Sequence, residues 1–357
     1  MFTYKKPATL LLHFALLTIL VGACVTHFFG EQGEIHLRGD KAQSLNHQSA
    51  FTNSPSQITL FLWDFQVVTD PNTQIPVDYI TALRILDRRA DKTEQGLVVD
   101  EGTIRMNKPL KYHNWRFCQS NFDSDGLGVT LRYNHDPWGI GITYTGYVLL
   151  LLAMIGFFFQ KNSRFRALFK SLTAKWPVSA KICVPSAFVV LVITLAFIMT
   201  KAVTPKPPLQ PVLQTPLLGI HVSVIMLAYT LFAIIAICGL IGLCTNKLST
   251  LNSKLSTVSS ILLYPALFCL MAGIFIGAVW ANMSWGRYWG WDPKETWALI
   301  TMLVYAALLH FPWLKKYTVH HTPYTKIYHA LCVIDFAFVL FTYFGVSYLL
   351  GGLHSYA

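Results

Sequence analysis

The chain has 357 residues, 54% of them hydrophobic and 14% aromatic, with only 13% charged and a formal net charge of +11. This is too apolar and too charge-poor for a soluble globular domain, and it points to a membrane protein. The basic excess suggests nucleic acid only until the positions are read, because the cations lie in short segments between apolar stretches, which excludes that partner.

A bilayer core of about 30 Å calls for about 20 mostly apolar residues per helix. Seven stretches meet that rule: 8–29, 139–159, 182–200, 217–243, 261–281, 296–313 and 327–349. Lys5 and Lys6 precede the first stretch, and Lys161, Arg164, Arg166, Lys170, Lys175 and Lys181 separate the second from the third. Lys247 and Lys254 follow the fourth, and Lys315, Lys316 and Lys326 follow the sixth. None of these four segments contains Asp or Glu, so they read as cytoplasmic loops. The predicted topology is a multi-pass membrane protein, in contact with lipid, with the N-terminus cytoplasmic, an odd number of crossings and the C-terminus outside.

In the first stretch, Val21-Gly22-Ala23-Cys24 has the form of a lipoprotein cleavage site, but apolar residues continue to Phe29 and suit a membrane helix instead. Residues 31–137 then carry almost all the acidic side chains and alternate apolar with polar residues in short runs, as in Ile58 to Val68, Tyr79 to Leu86 and Val129 to Tyr133. That period predicts a small β-sandwich or open sheet outside the membrane, with turns at Asp70-Pro71-Asn72 and at glycines. Lys201 to Pro216 is proline-rich and reads as an extended outer connector. No internal repeat is visible.

The cysteines are scattered. Cys24, Cys183, Cys238, Cys244, Cys269 and Cys332 fall in or beside apolar stretches, and Cys118 stands alone outside. The absence of CxxC removes a thioredoxin-like or zinc reading, and the absence of CxxCH means that any haem is held non-covalently.

The most informative segment is Trp285 to Trp297, WGRYWGWDPKETW, with four tryptophans and a tyrosine in thirteen residues at the outer interface. Trp and Tyr favour interfaces, and Asp292-Pro293-Lys294-Glu295 predicts a helix start with Asp292 as N-cap, Pro293 at N1 and Glu295 completing a capping box. A helix start does not require so many indoles interleaved with Gly286 and Gly290. A flat ligand approaching the backbone does, and an aromatic shelf for a porphyrin has this form.

Histidines form two further groups. His221 opens the fourth stretch and His354 lies beyond the seventh, both on the side of the tryptophans. Singly, each reads as a solvated interfacial side chain; together with the shelf they read as two imidazoles ligating haem iron from opposite faces. His13, early in the first stretch, and His310, late in the sixth, both lie in the cytoplasmic half of the membrane and suggest a second bis-imidazole site, with His329 a competing ligand. Asp335 is the only acidic residue inside a predicted span, where it can orient an imidazole or simply bond a neighbouring helix.

At WGRYWGWDPKETWALI the sequence resembles the tryptophan-rich WWD motif of the haem-handling superfamily that serves cytochrome c maturation. The flanks LQTPLLGIHVSVIMLAY and FGVSYLLGGLHSYA resemble the CcsA (ResC) branch. The segments HFALLTILVGACVTHFFGEQGEIHLRGD, GTIRMNKPLKYHNWRFCQSNFD and DPWGIGITYTGYVLLL resemble ResB (CcsB), starting at that family's third membrane helix.

The resemblance implies a system II cytochrome c synthase that joins a C-terminal portion of ResB to CcsA. Its divisions would be a helix over 1–30, a β-rich domain over 31–137, a helix over 138–160, a basic linker over 161–181 and a CcsA-like domain with five helices over 182–357. His221 and His354 match the outer haem ligands, and His13 and His310 the membrane-embedded pair. Trp285, Trp289, Trp291, Asp292 and Trp297 are the residues of the motif expected to carry the chemistry.

The implied activity is that of a cytochrome c haem lyase acting on haem b, with apocytochromes bearing CxxCH as partners, together with a thiol reductase and a chain supplying the rest of ResB. Two other classes compete: a non-catalytic haem exporter or subunit, and a quinol-linked cytochrome b with two stacked bis-histidine sites.

Overall fold

The computed structural model describes residues 6–39, 41, 43–47, 56–87, 98–174, 177, 211–213, 215–245, 249–314 and 321–350. Helix α1 (Pro7–Phe29) leads into eight strands, β1 (Glu31–Arg38), β2 (Gln43–His47), β3 (Ser56–Thr69), β4 (Pro76–Asp87), β5 (Val98–Ile104), β6 (Leu110–Tyr112), β7 (Trp115–Phe122) and β8 (Gly128–His135). Then come α2 (Gly139–Phe159), α3 (Arg164–Leu172), α4 (Pro216–Cys244), α5 (Ser249–Ser284), α6 (Pro293–Leu314) and α7 (His321–Leu340), which continues as a π-helical segment over Phe341–Leu350.

The strands form two four-stranded antiparallel sheets, β1-β8-β7-β6 and β2-β3-β4-β5. Alternate residues point inward, so Leu37, Phe117, Val129 and Leu131 of one sheet share a core with Ile58, Leu60, Leu83 and Ile85 of the other. Of the two forms the sequence allowed, the domain takes the sandwich. The predicted strands at 58–68, 79–86 and 129–133 correspond to β3, β4 and β8, each slightly longer than the periodicity suggests.

Five described helical segments are long and apolar enough to cross a membrane: Pro7–Phe29, Gly139–Leu172, Pro216–Cys244, Thr250–Ser284 and Tyr324–Leu350. The chain is a polytopic membrane protein with a β-rich N-terminal domain. Of the two other predicted stretches, 182–200 lies outside the described residues, as does most of Lys201–Pro216. The stretch 296–313 falls in α6, whose 22 residues give a helix of about 33 Å.

Helices α1 and α2 run antiparallel and meet through small residues. Ala15 is wholly buried, and a Cβ at Gly146 would stand 2.6 Å from Ile19 Cγ1, so the backbones approach closely. At the end of the bundle away from the sandwich, Gln160 Oε1 accepts the Ala8 and Thr9 amides at 3.0 and 3.4 Å, satisfying donors that the first turn of α1 leaves open. Lys6, Lys161, Arg164, Arg166, Lys170, Lys254 and Lys326 gather at that same end, the basic end. The opposite end carries the sandwich and the tryptophan-rich segment.

Candidate functional site

The segment between α5 and α6 is built by the local chemistry its sequence predicts. Asp292 Oδ1 accepts the Lys294 amide at 2.9 Å and Glu295 Oε2 accepts the Asp292 amide at 3.3 Å, so the capping box forms around Pro293. Glu295 also accepts the Gly290 amide at 2.8 Å, which ties the preceding turn to the helix start. That turn is tight. Trp291 has φ of 54°, a left-handed conformation that L side chains rarely adopt, and its indole is 71% exposed.

The remaining indoles divide their tasks. Trp285 lies edge-on to the buried Trp280 at 4.8 Å, and Trp297 packs on Phe341 at 4.3 Å, joining the start of α6 to the π-helical segment. Trp289 meets Trp291 edge-on at 5.8 Å. Gly286 (φ 73°) passes over the sandwich domain, where a Cβ would stand 3.1 Å from Cys118 Sγ. Burial pushes the Cys118 thiol up to about 11 against the opposing pull of Arg116 and Arg132, so it stays protonated and unreactive at neutral pH.

Behind the segment lies a cavity of about 380 Å³, within the range of small-molecule and cofactor sites, lined in part by His221, Trp280, Tyr288, Trp289, Lys294 and Glu295. Trp289 therefore faces the cavity while Trp291 turns outward. Burial also pushes the Tyr288 phenol up, so that it stays protonated and donates a hydrogen bond.

His221 stands in the second turn of α4, whose N-cap Thr215 accepts the Leu218 amide at 3.1 Å. Its Nδ1 lies 2.7 Å from the Gly273 carbonyl oxygen; a carbonyl only accepts, so Nδ1 carries the proton and Nε2 the lone pair. Gly277 makes this possible, because a Cβ there would stand 2.6 Å from the imidazole Cε1. His354 lies outside the described residues.

At the basic end, His13 and His310 face one another with ring centroids 6.3 Å apart and planes at 81°. Each repeats the pattern of His221: His13 Nδ1 donates to the Thr9 carbonyl at 2.8 Å, and His310 Nδ1 to the Ala306 carbonyl at 2.7 Å. His329 is instead fully buried against Gly242 of α4, where a Cβ would stand 2.6 Å from its ring. Asp335 is buried, and the phenol of Tyr305 is its neighbour.

Sequence reading missed Tyr288, Lys294 and Glu295 as cavity-lining residues. All three sit inside the motif, but the side on which each projects depends on how the turn at Trp291 folds. Trp280 and Gly277 lie on α5 before the motif and carry no local signal.

A family model described as cytochrome c assembly protein matches residues 142–354, and one described as the ResB-like family matches residues 3–139. Among relatives, the protein NrfI of Wolinella succinogenes is 41% identical over 157 residues, 42% of this chain and 17% of NrfI. Cytochrome c biogenesis protein CcsA of Guillardia theta is 37% identical over 42% of this chain and 56% of its own length. CcsA of Chlamydomonas reinhardtii is 34% identical over 45% of this chain and 46% of its own length. The matches thus span less than two thirds of each of these relatives. With a match over more than half its length, the chain belongs to the cytochrome c assembly protein family, joined at its N-terminal side to a ResB-like region.

Proposed function

We propose that this protein acts in cytochrome c biogenesis: it takes up haem at the basic, cytoplasmic end between His13 and His310, carries it to the periplasmic end, and attaches it to exported apocytochromes bearing CxxCH. The observation that carries the reading is a pattern in three imidazoles. His13, His310 and His221 each give the Nδ1 proton to a backbone carbonyl, which leaves the Nε2 lone pair as the donor toward a metal. The rings of His13 and His310, with centroids 6.3 Å apart, are close enough that both could hold one metal ion.

Haem is both ligand and substrate here. At the outer site His221 would hold its iron with His354 as the opposite ligand, and the aromatic lining, Trp289 above all, would support the macrocycle. Each substrate thiol adds across a vinyl group, its sulfur bonding one vinyl carbon and its proton passing to the other, so no net oxidation occurs. The chain's contribution to the step is positioning. On this reading residues 1–160 supply the ResB-like part and 182–357 the CcsA-like part, joined by the basic linker 161–181. A thiol reductase completes the proposed system in the bacterial inner membrane.

The test is co-expression with a CxxCH reporter in a host lacking cytochrome c maturation. Covalent haem on the reporter, dependent on this chain, is the expected result. Haem-loaded protein with a reporter that stays apo would support an exporter, and haem-free protein from haem-replete cells would reject both.

A further inference from the structure

Three hydroxyl-bearing side chains form a chain of hydrogen bonds that ends on one carboxylate behind the cavity. Tyr288 donates from its phenol to Thr26 Oγ1 at 2.5 Å, and Thr26 donates to Asp136 Oδ2 at 2.5 Å. Thr143 Oγ1 donates to the Tyr288 oxygen at 3.4 Å. The direction is forced, because each hydroxyl has one proton and the carboxylate can only accept: Thr26 gives its proton to Asp136 and must receive from Tyr288. Asp136 is itself held by the start of α2, its Oδ1 accepting the Gly139 amide at 2.7 Å and the Trp138 amide at 3.3 Å.

Asp136 and Tyr288 are both 7% exposed and Thr143 is wholly enclosed, while Thr26 between them is half-buried. Two glycines clear the space it occupies: a Cβ at Gly139 would overlap Thr26 Oγ1, and one at Gly22 would overlap Thr143 Oγ1. Its far end is the ring of Tyr288, which borders the cavity beside His221 and packs with Ile140 and Ala278. Thus α1, α2 and the link after β8 reach through Tyr288 to the wall of a cavity otherwise lined by Leu213, α4, α5, the tryptophan-rich segment, α6 and the π-helical segment after α7.

We infer that Thr26 and Asp136 are positioning residues for the outer haem site: through Tyr288 they hold its aromatic wall, so the ResB-like helix pair is a working part of a site whose metal ligands lie on the CcsA-like part. The inference rests on the proposed function and adds a role for the joined ResB-like segment. A buried phenol deprived of its acceptor must reorient or lose a hydrogen bond, and the wall it forms then shifts with it.

The test uses full-length protein in a His310→Gly background, so that haem at His221 is read alone, by haem per protein, midpoint potential and dissociation rate. Thr26→Val removes the hydroxyl at nearly constant volume and should speed haem loss about tenfold with a shifted potential. Thr26→Ser keeps the hydroxyl and should restore both. Tyr288→Phe combined with Thr26→Val should speed haem loss by less than the product of the two single effects, since both remove the shared bond from Tyr288 to Thr26. Unchanged haem loss and potential in Thr26→Val would overturn the inference. So would loss of membrane integration that Thr26→Ser fails to repair, which marks a packing role only. His221→Gly serves as the control: if it leaves the haem in place, the outer-site assignment falls and this inference with it, whereas haem lost there but indifferent to Thr26→Val sinks the inference alone.

Discussion

The rings of His13 and His310 stand 6.3 Å apart between α1 and α6, each anchored at Nδ1 by a carbonyl one helical turn before it. The anchors matter because they commit Nδ1 of each ring to a backbone carbonyl, something a freely rotating exposed imidazole does not do. Replacing His310 with Gly should abolish the low-spin, six-coordinate spectrum of haem at this end, and added imidazole should partly restore it. His329→Ala should leave that spectrum intact, since His329 packs against Gly242. An absorption spectrum of purified, reduced protein separates the two outcomes, and loss of the signal in His329→Ala instead would reassign the ligand.

At the opposite end, the position of the His221 ring depends on Gly277. Gly277→Ala places a methyl group 2.6 Å from the ring, inside van der Waals contact, and the imidazole must move to admit it. The expected cost is about 1–3 kcal/mol of outer-site haem affinity, with reporter maturation falling as in His221→Gly. Imidazole should rescue His221→Gly and not Gly277→Ala, because only the former leaves room for it. Equal rescue of both variants would show that Gly277 acts elsewhere.

Trp291 keeps a left-handed backbone with its indole mostly in solvent, an arrangement that costs of the order of 1–3 kcal/mol for a residue other than glycine. Trp291→Gly should therefore raise the thermal midpoint of the haem-free protein. Trp291→Ala keeps most of the strain and, because that indole turns away from the cavity, should leave the haem-to-protein ratio unchanged, whereas Trp289→Ala should lower it while protease-protection topology stays unchanged, because Asp292 and Glu295 still start α6. Disturbed topology with normal haem content would mark Trp291 as an interfacial anchor.

Cys118 gives a pH-dependent prediction. Its folded value, about 11, lies above the ordinary thiol value of 9.0, so its contribution to stability is complete below pH 9 and is lost as the pH rises toward 11. Two pH units correspond to roughly 3 kcal/mol at most. Cys118→Ala should flatten this alkaline part of the unfolding profile of the sandwich, and Cys118 should resist iodoacetamide at pH 8 until the domain is unfolded. Rapid labelling of folded protein at pH 8 would contradict its burial beneath Gly286.

A five-residue run such as Asp292-Pro293-Lys294-Glu295-Thr296 contains everything needed to start a helix, because capping is settled among residues no more than four apart. For the same reason β3, β4 and β8 were legible from their period of two, and the five membrane-length helices from uninterrupted apolarity. The pairing of His13 with His310, rather than with His329, was decided only by packing: α1 and α2 lock through Ala15 and Gly146, and the register of that contact carries His13 to the face where α6 presents His310. Likewise no local pattern tells Trp289, which lines the cavity, from Trp291, which leaves it, since the left-handed turn between them reverses the side on which successive rings project. The bond from Tyr288 to Thr26 joins residues that no periodicity connects, and it exists because the small faces of α1 and α2 let their backbones approach closely enough for a hydroxyl to reach across.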